Sequence, residues 1–201
     1  FYRQLTTNHN DIKKNKWKKY SGETLLNKKI GVIGVGNIGK KIIEMIQGFE
    51  TINYVNDINK INKNFLLKYK LKSKTKKFIF NNCDIIIIAT DLNKTSIKLI
   101  NKKTINQFKN NPLIVNIGRG GSIDNQALLN SLKRKKIKGA CLDVFENEPL
   151  SKNNLLKKYN NCILTSHNAF NTKDEVEFVN KNTLNNIFRG LNLNAEVIKK
   201  I

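Results

Sequence analysis

Four isoleucines stand in succession at positions 85–88, and a strand built from them has no face to show to water. A strand that is wet on one side alternates apolar and polar residues, whereas one covered on both sides reads as an unbroken apolar run. Asp84–Thr90 is therefore read as a fully buried strand, and Leu113–Ile117 as another. Around them, short β-rich runs alternate with longer amphipathic ones. Lys29–Gly34 reads as a strand and Ile38–Phe49 as a helix, with Ile38, Ile42, Met45 and Ile46 on one face. Thr51–Asp57 reads as a strand, and the Lys/Asn-rich stretch from there to Asn82 has no firm assignment. Helix Asn125–Lys135, strand Gly139–Val144, helix Asn153–Tyr159 and strand Cys162–Thr165 continue the pattern. A closing helix runs from about Lys173 to Arg189, with Thr172 and Glu175 as a capping box and Gly190 as its stop. Strands alternating with helices imply an α/β fold, a doubly wound parallel sheet with helices on both faces.

The formal charge of +22 raises the question of a polyanionic partner. Lysine is spread along the whole chain, however, and Asn and Ile are abundant beside it, the bias an AT-rich coding sequence produces. Nucleic-acid binding would need a clustered basic stripe or aromatics spaced for stacking, and the sequence has neither. The longest apolar runs fall far short of the roughly 18 residues a membrane span needs. Neither a nucleic acid nor a membrane is expected as a partner. Cys83, Cys141 and Cys162 form no C-x-x-C pair and sit in or beside apolar runs, so reduced thiols in a cytoplasmic protein are expected. With His9 and His167 the only histidines, no metal site is expected.

Gly34-Val35-Gly36-Asn37-Ile38-Gly39 is a G-x-G-x-x-G run that leaves one expected strand and opens an expected helix. In that context it reads as a dinucleotide-binding turn. Gly34 permits the tight turn, Gly36 lets the backbone approach a diphosphate, and Gly39 lets helix pack on strand. The first helical residues, Asn37 and Ile38, then offer N–H groups and the positive end of the helix dipole. Asp57 closes the second strand 18 positions after Gly39, where an acidic residue can accept both ribose hydroxyls. No arginine adjoins it, so NAD is expected over NADP, with Lys60 leaving some room for the latter.

Further along, Asn116-Ile117-Gly118-Arg119-Gly120-Gly121-Ser122-Ile123-Asp124 with Ala127-Leu128 resembles the N-x-x-R-G-G-x-x-D-x-x-A-L signature of the D-isomer-specific 2-hydroxyacid dehydrogenases, a family that includes phosphoglycerate dehydrogenase. Gly139–Leu150 is similar to that family's G-A-x-x-D-V-F-x-x-E-P segment, and Asn161–His167 to its N-x-x-x-T-P-H segment. Trp17 also matches, so the resemblance runs from there through nearly the whole chain. It implies an NAD-dependent oxidoreductase that transfers a hydride between NAD and a D-2-hydroxy acid/2-oxo acid pair. The alternative it leaves is a dinucleotide-sensing, corepressor-like binding protein of the same fold.

The resemblance implies Arg119, Glu148 and His167 as the catalytic set. A guanidinium suits a carboxylate and the adjoining carbonyl, an imidazole titrates near neutrality and can pass a proton, and Glu148 is the acid directly before proline, chosen over Glu146. It also implies Asp143 as the hydrogen-bond partner of the nicotinamide carboxamide, with Thr90 and Gly118 bordering the cofactor. A homodimer is implied likewise. The sequence departs from the family at Ser166, where proline is usual, and at Asp91, which replaces a proline in a cofactor-bordering loop one residue short. The expected organisation is a remnant of an inter-domain helix at 1–16, a dinucleotide-binding domain at 17–170 and, at 171–201, a helix returning toward a substrate domain absent from this sequence. The substrate stays open among small acids, including 3-phosphoglycerate.

Overall fold

The computed structural model describes residues 1–191. It divides into two compact units, Phe1–Ser166 and the residues from His167 onward.

The first unit is built on a seven-stranded sheet, parallel throughout. The strands are β1 (Lys29–Ile33), β2 (Ile52–Asn56), β3 (Lys72–Ser73), β4 (Ile85–Ile88), β5 (Leu113–Asn116), β6 (Gly139–Leu142) and β7 (Cys162–Leu164). Their order across the sheet is β3-β2-β1-β4-β5-β6-β7. The chain therefore winds outward from β1 in one direction, then returns and winds outward from β4 in the other. Between β1 and β4 the direction reverses, and a crevice opens there at the carboxyl ends of the strands. Register is set by residue pairs such as Ile30 with Ile85 and Ile33 with Ile88. The isoleucine strand β4 is buried at all four positions. Ile86 and Ile88 enter the core on one face of the sheet, and Ile85 and Ile87 the core on the other.

The helices of this unit are α1 (Leu5–Lys13), α2 (Asn37–Ile46), α3 (Lys63–Lys68), α4 (Lys76–Asn82), α5 (Lys102–Ile105) and α6 (Asn125–Lys133). Helix α2 presents a different face from the one the periodicity suggests. Gly39 and Ile43 are its buried residues and Ile42 and Ile46 pack beside them, whereas Ile38 and Met45 are exposed. The core-facing stripe follows 39, 43 and 46, the i, i+4, i+7 spacing of one helical face. A single 3₁₀ turn, Gln47–Phe49, finishes the segment.

The stretch without a sequence assignment holds α3, β3 and α4. Asn62 caps α3 by accepting from the N–H groups of Asn64 and Phe65, and Thr75 caps α4 by accepting from Phe78. Helix α4 then buries Ile79 and Phe80 in the core. Two further differences have local causes. The expected helix Asn153–Tyr159 is a 3₁₀ turn, Leu155–Lys158, which buries only Leu156. Helix α5, not anticipated, is opened by a capping box between Asn101 and Thr104. Trp17 is 85% exposed.

The second unit contains α7 (Lys173–Gly190). Thr172 caps it by accepting from the Glu175 N–H. Gly190 is the last helical residue rather than the stop beyond it, and Leu191 takes the C-cap position. No residue of α7 is buried, and Phe178, Val179, Leu184 and Ile187 are exposed. No helix among the described residues is long and apolar enough to cross a membrane.

Candidate functional site

The glycine turn sits at the carboxyl end of β1, beside the sheet's reversal. Gly34 has φ of +94°, and a Cβ there would come within 2.6 Å of the Ala89 carbonyl oxygen at the end of β4. Only glycine fits both constraints. Gly39 serves a tighter purpose than packing helix on strand, because its Cβ would lie 2.0 Å from the Gly34 carbonyl oxygen. The first turn of α2 is thus pressed onto the loop itself. Gly36 is the opposite case: a Cβ there would meet nothing within 4 Å, so open space lies over the turn.

The first backbone bond of α2 runs from Lys40 N–H to Gly36 C=O. The N–H groups of Asn37, Ile38 and Gly39 therefore have no acceptor within the helix, and no side chain caps them. This donor set, with the dipole end behind it and open space in front, suits a diphosphate.

Asp57 leaves the end of β2 and turns back toward the glycine loop. Its Oδ2 accepts from Val35 N–H at 2.6 Å and its Oδ1 from Asn59 N–H at 2.8 Å. A carboxylate offers about four acceptor positions, so both oxygens keep capacity for a ribose hydroxyl. Between these elements and the end of β4 lies a cleft lined by Gly34, Gly36, Asp57, Thr90, Asp91 and Lys76, among others. The Thr90 Oγ1 is buried and has no hydrogen-bond partner among the described residues. A buried hydroxyl with no partner is uncommon enough to mark a place where a ligand is expected.

On the other side of the reversal, the loop after β5 is organised by Asn116. This side chain is fully buried, with its Oδ1 accepting from Gly118 N–H at 3.1 Å and its Nδ2 donating to Arg119 C=O at 3.0 Å. Gly118 lies against Thr90, since a Cβ there would be 2.5 Å from the Thr90 carbonyl oxygen. Gly120 lies against the turn after β6, where a Cβ would fall 1.9 Å from the Phe145 carbonyl carbon. The backbone around Arg119 is thereby fixed on both sides while its guanidinium is exposed, with Nη1 donating to Gly118 C=O at 2.8 Å.

The turn after β6 carries the acidic residues. Asp143 is buried, and its Oδ1 accepts from the Thr165 hydroxyl at 2.5 Å. Glu148 folds back so that its Oε1 accepts from Phe145 N–H at 2.8 Å, and a cis bond joins it to Pro149. Glu146 accepts instead from the Asn125 side chain of α6 at 3.1 Å. The structure thus brings the Arg119 loop against the turn that bears Glu148, and the Gly118 end of that loop against Thr90. His167 falls in the second unit. It has φ of 55°, and its ring meets Phe170 edge-on at 6.0 Å between centroids.

Two of these residues had no role assigned from sequence. Asn116 was legible only as part of a motif, although a polar residue closing an otherwise apolar strand was the available signal. Lys76 had none, standing in the Lys-rich stretch without an assignment. The three cysteines are free thiols; Cys83 is buried, and Cys141 and Cys162 are half-buried. Burial pushes Cys83 up to about 12 and Cys162 up to about 11.

Residues 1–169 match the family model described as D-isomer specific 2-hydroxyacid dehydrogenase, NAD binding domain. The D-3-phosphoglycerate dehydrogenase of Archaeoglobus fulgidus is 30% identical over 174 residues, covering 86% of this chain and 33% of that protein. An aromatic 2-oxoacid reductase of Clostridium sporogenes is 33% identical over 182 residues, covering 83% of this chain and 54% of that protein. The apo-structure of D-lactate dehydrogenase from Escherichia coli superposes with a TM-score of 0.85 at 26% identity, over 96% of this chain and 61% of that one. The chain thus spans between a third and somewhat over half of the length of the proteins it matches. With 169 of its residues matched by the model, and the glycine turn, Asp57 and the strand reversal arranged as above, the chain belongs to the D-isomer specific 2-hydroxyacid dehydrogenase family as its NAD-binding domain.

Proposed function

We propose that this chain is the cofactor-binding part of an oxidoreductase that interconverts a D-2-hydroxy acid and its 2-oxo acid with NAD. The observation that carries the reading is the joining of two half-sites across the sheet reversal. The glycine turn with Asp57 lies on one side and the Arg119 loop on the other, linked through Thr90. In the proposed site, Gly34, Gly36, Asn37, Ile38, Gly39 and Asp57 hold the diphosphate and adenosine ribose. Thr90, Gly118 and Asp143 border the nicotinamide. The bound nicotinamide supplies the hydride acceptor or donor.

The chain's own residues bind, orient and move the proton. Arg119 is the proposed ligand of the acid's carboxylate, and its exposed guanidinium leaves a planar fork of donors for that purpose. His167 is the proposed acid–base group that gives a proton to the carbonyl oxygen during reduction and takes it back during oxidation. Glu148 is the proposed acidic member of the set. Residues 1–16 and α7 are proposed to lead to and from a substrate domain, and the unburied apolar residues of α7 support a partner surface there. A homodimer is also proposed, supported by Ile38 and Met45, which stand seven residues apart on the exposed side of α2. A cytoplasmic setting fits the three free thiols.

The test is turnover by the full-length protein that carries this chain, with NADH or NADPH and a panel of 2-oxo acids that includes phosphorylated ones. NADH oxidation by at least one acid, and less by NADPH, is the expected result. A His167→Gln variant should fall by about a hundredfold or more, the contribution of a positioned acid–base group. Tight NADH binding with no turnover on any acid, and no effect of His167→Gln, would instead favour the dinucleotide-sensing role.

A further inference from the structure

One wall of the cleft beside Asp57 has few ties to the elements around it. That wall is the loop 91–95, and its own bonds are nearly all internal. Asn93 Oδ1 accepts from the Thr95 N–H and hydroxyl, each at 2.8 Å, and the Ser96 hydroxyl donates to Asp91 C=O at 2.5 Å. Asn93 C=O in turn accepts from the N–H groups of Ser96 and Ile97. Such a turn holds its own shape, and its place rests on few outside contacts. Among the described residues, one hydrogen bond joins 91–95 to a residue outside 91–97: Lys76 Nζ donates to Thr95 C=O at 2.8 Å, while the Leu92 side chain lies against Gly121. Lys76 is the first residue of α4, half-buried, and lines the cleft together with Asp57, Asn93 and Thr95.

From this we infer that Lys76 is a positioning residue for the adenosine end of the cofactor, a role that rests on the dinucleotide reading of the cleft. Three features give it that role. Its aliphatic stem forms part of the cleft lining, as long basic side chains do when only the head stays polar. Its ammonium spends one of three donors on Thr95 and keeps the others for the cleft. Its position at the start of α4, a helix anchored in the core by Ile79 and Phe80, gives the loop a rigid point of attachment. The charge also matters, because Asp57 and Asp91 both line the cleft and the expected ligand is itself an anion. Lys76 is the basic residue of that lining. A hydrogen bond made by a charged donor is about twice as strong as a neutral one, so losing it is costly even at a partly exposed site.

The experiment titrates the 201-residue chain with ADP-ribose, which carries the adenosine and diphosphate but no nicotinamide. It compares wild type with Lys76→Met, Lys76→Arg and Lys77→Met. Lys77 is the exposed neighbour that does not line the cleft. Melting temperatures and amide hydrogen exchange of 91–96 are read alongside. Expected are an affinity loss of about tenfold for Lys76→Met, partial retention in Lys76→Arg, and no change in Lys77→Met. Exchange at 91–96 should be faster in Lys76→Met alone, with melting temperatures nearly equal. Affinity of Lys76→Met within twofold of wild type overturns the inference. So does a loss shared equally by Lys77→Met, or one that tracks a fall in melting temperature, since either would be a general effect of charge or stability. Failure of the wild type itself to bind ADP-ribose would remove the dinucleotide reading beneath the inference, an outcome visible before any variant is compared.

Discussion

Strands β4 and β7 run parallel in the same sheet, yet every residue of β4 is buried and none of β7 is. The difference divides the sheet by task. Around β4 the interior strands are covered on both faces, and the turns that leave them are shaped by main chain against main chain, as at Gly34, Gly39 and Gly118. Toward β7 the covering thins, a 3₁₀ turn replaces a helix, and Glu146, Glu148 and Thr165 stay exposed, with Asp143 the buried exception. A cofactor common to many reactions is met by rigid backbone. Groups proposed to meet the reacting acid are side chains left unburied: Arg119 on a loop held by backbone, Glu148 and His167 on the turns beyond β6 and β7. Rigid placement of the first lets the second vary without loss of the fold.

The largest blow to the rigid side is Gly39→Ala. Its Cβ would overlap the Gly34 carbonyl oxygen, a backbone atom that cannot turn aside, so the loop or the helix must move. We expect loss of NADH binding and a destabilisation of about 1–3 kcal/mol, the range for overpacked core positions, read by fluorescence titration and urea unfolding. An unchanged NADH affinity would mean that the turn is looser than its geometry indicates.

Asn116→Ala tests the seam between the two sides. It removes two hydrogen bonds at a buried position and leaves Gly118 N–H and Arg119 C=O without their partner. A cost of about 1–3 kcal/mol is expected from the orphaned groups, with faster amide exchange at 118–121. Exchange at the glycine turn 34–39 should stay as it was. Faster exchange in both places would show that the two half-sites are one cooperative unit.

The smallest effect concerns the thiols. Cys83, enclosed between α4 and β1 near the interior, rises to about 12, and the half-buried Cys162 on β7 to about 11, desolvation being the main cause for each. A thiol whose folded pKa lies above its unfolded value stabilises the fold fully below about pH 9. That contribution is lost as pH climbs from there toward the folded value. Urea midpoints should therefore decline between pH 9 and pH 11, and Cys83→Ala should flatten the decline more than Cys162→Ala. Equal flattening would erase the contrast in burial between the interior beside β4 and the β7 edge.

Much of this plan can be read from residue order, because apolar runs without polar interruption report burial on both faces. Ile85–Ile88 and Leu113–Val115 announce interior strands in that way, and the glycine spacing marks the turn. What escapes is whatever depends on which way a side chain is turned. Residues 58–82 are so rich in Lys and Asn that the two core anchors of α4, Ile79 and Phe80, give no visible period. The face of α2 is only half legible because isoleucines occupy both the buried and the exposed stripes, so hydrophobicity alone cannot rank Ile38 against Ile43. Lys76 looks like any other lysine in a chain of net charge +22. Its place in the cleft follows from the fold of α4, not from its neighbours in sequence.

The Asp57–Val35 hydrogen bond carries a consequence for engineering. Replacing an acidic residue at the end of β2 is the obvious route to make such a domain accept NADPH, since a carboxylate there repels a 2′-phosphate. Here the same carboxylate also holds the N–H of the residue between Gly34 and Gly36. A substitution chosen to relax cofactor choice would release part of the proposed diphosphate loop, and lower affinity for both nicotinamide cofactors is then the expected result. A redesign that succeeds has to give Val35 a new acceptor before it changes the charge at position 57.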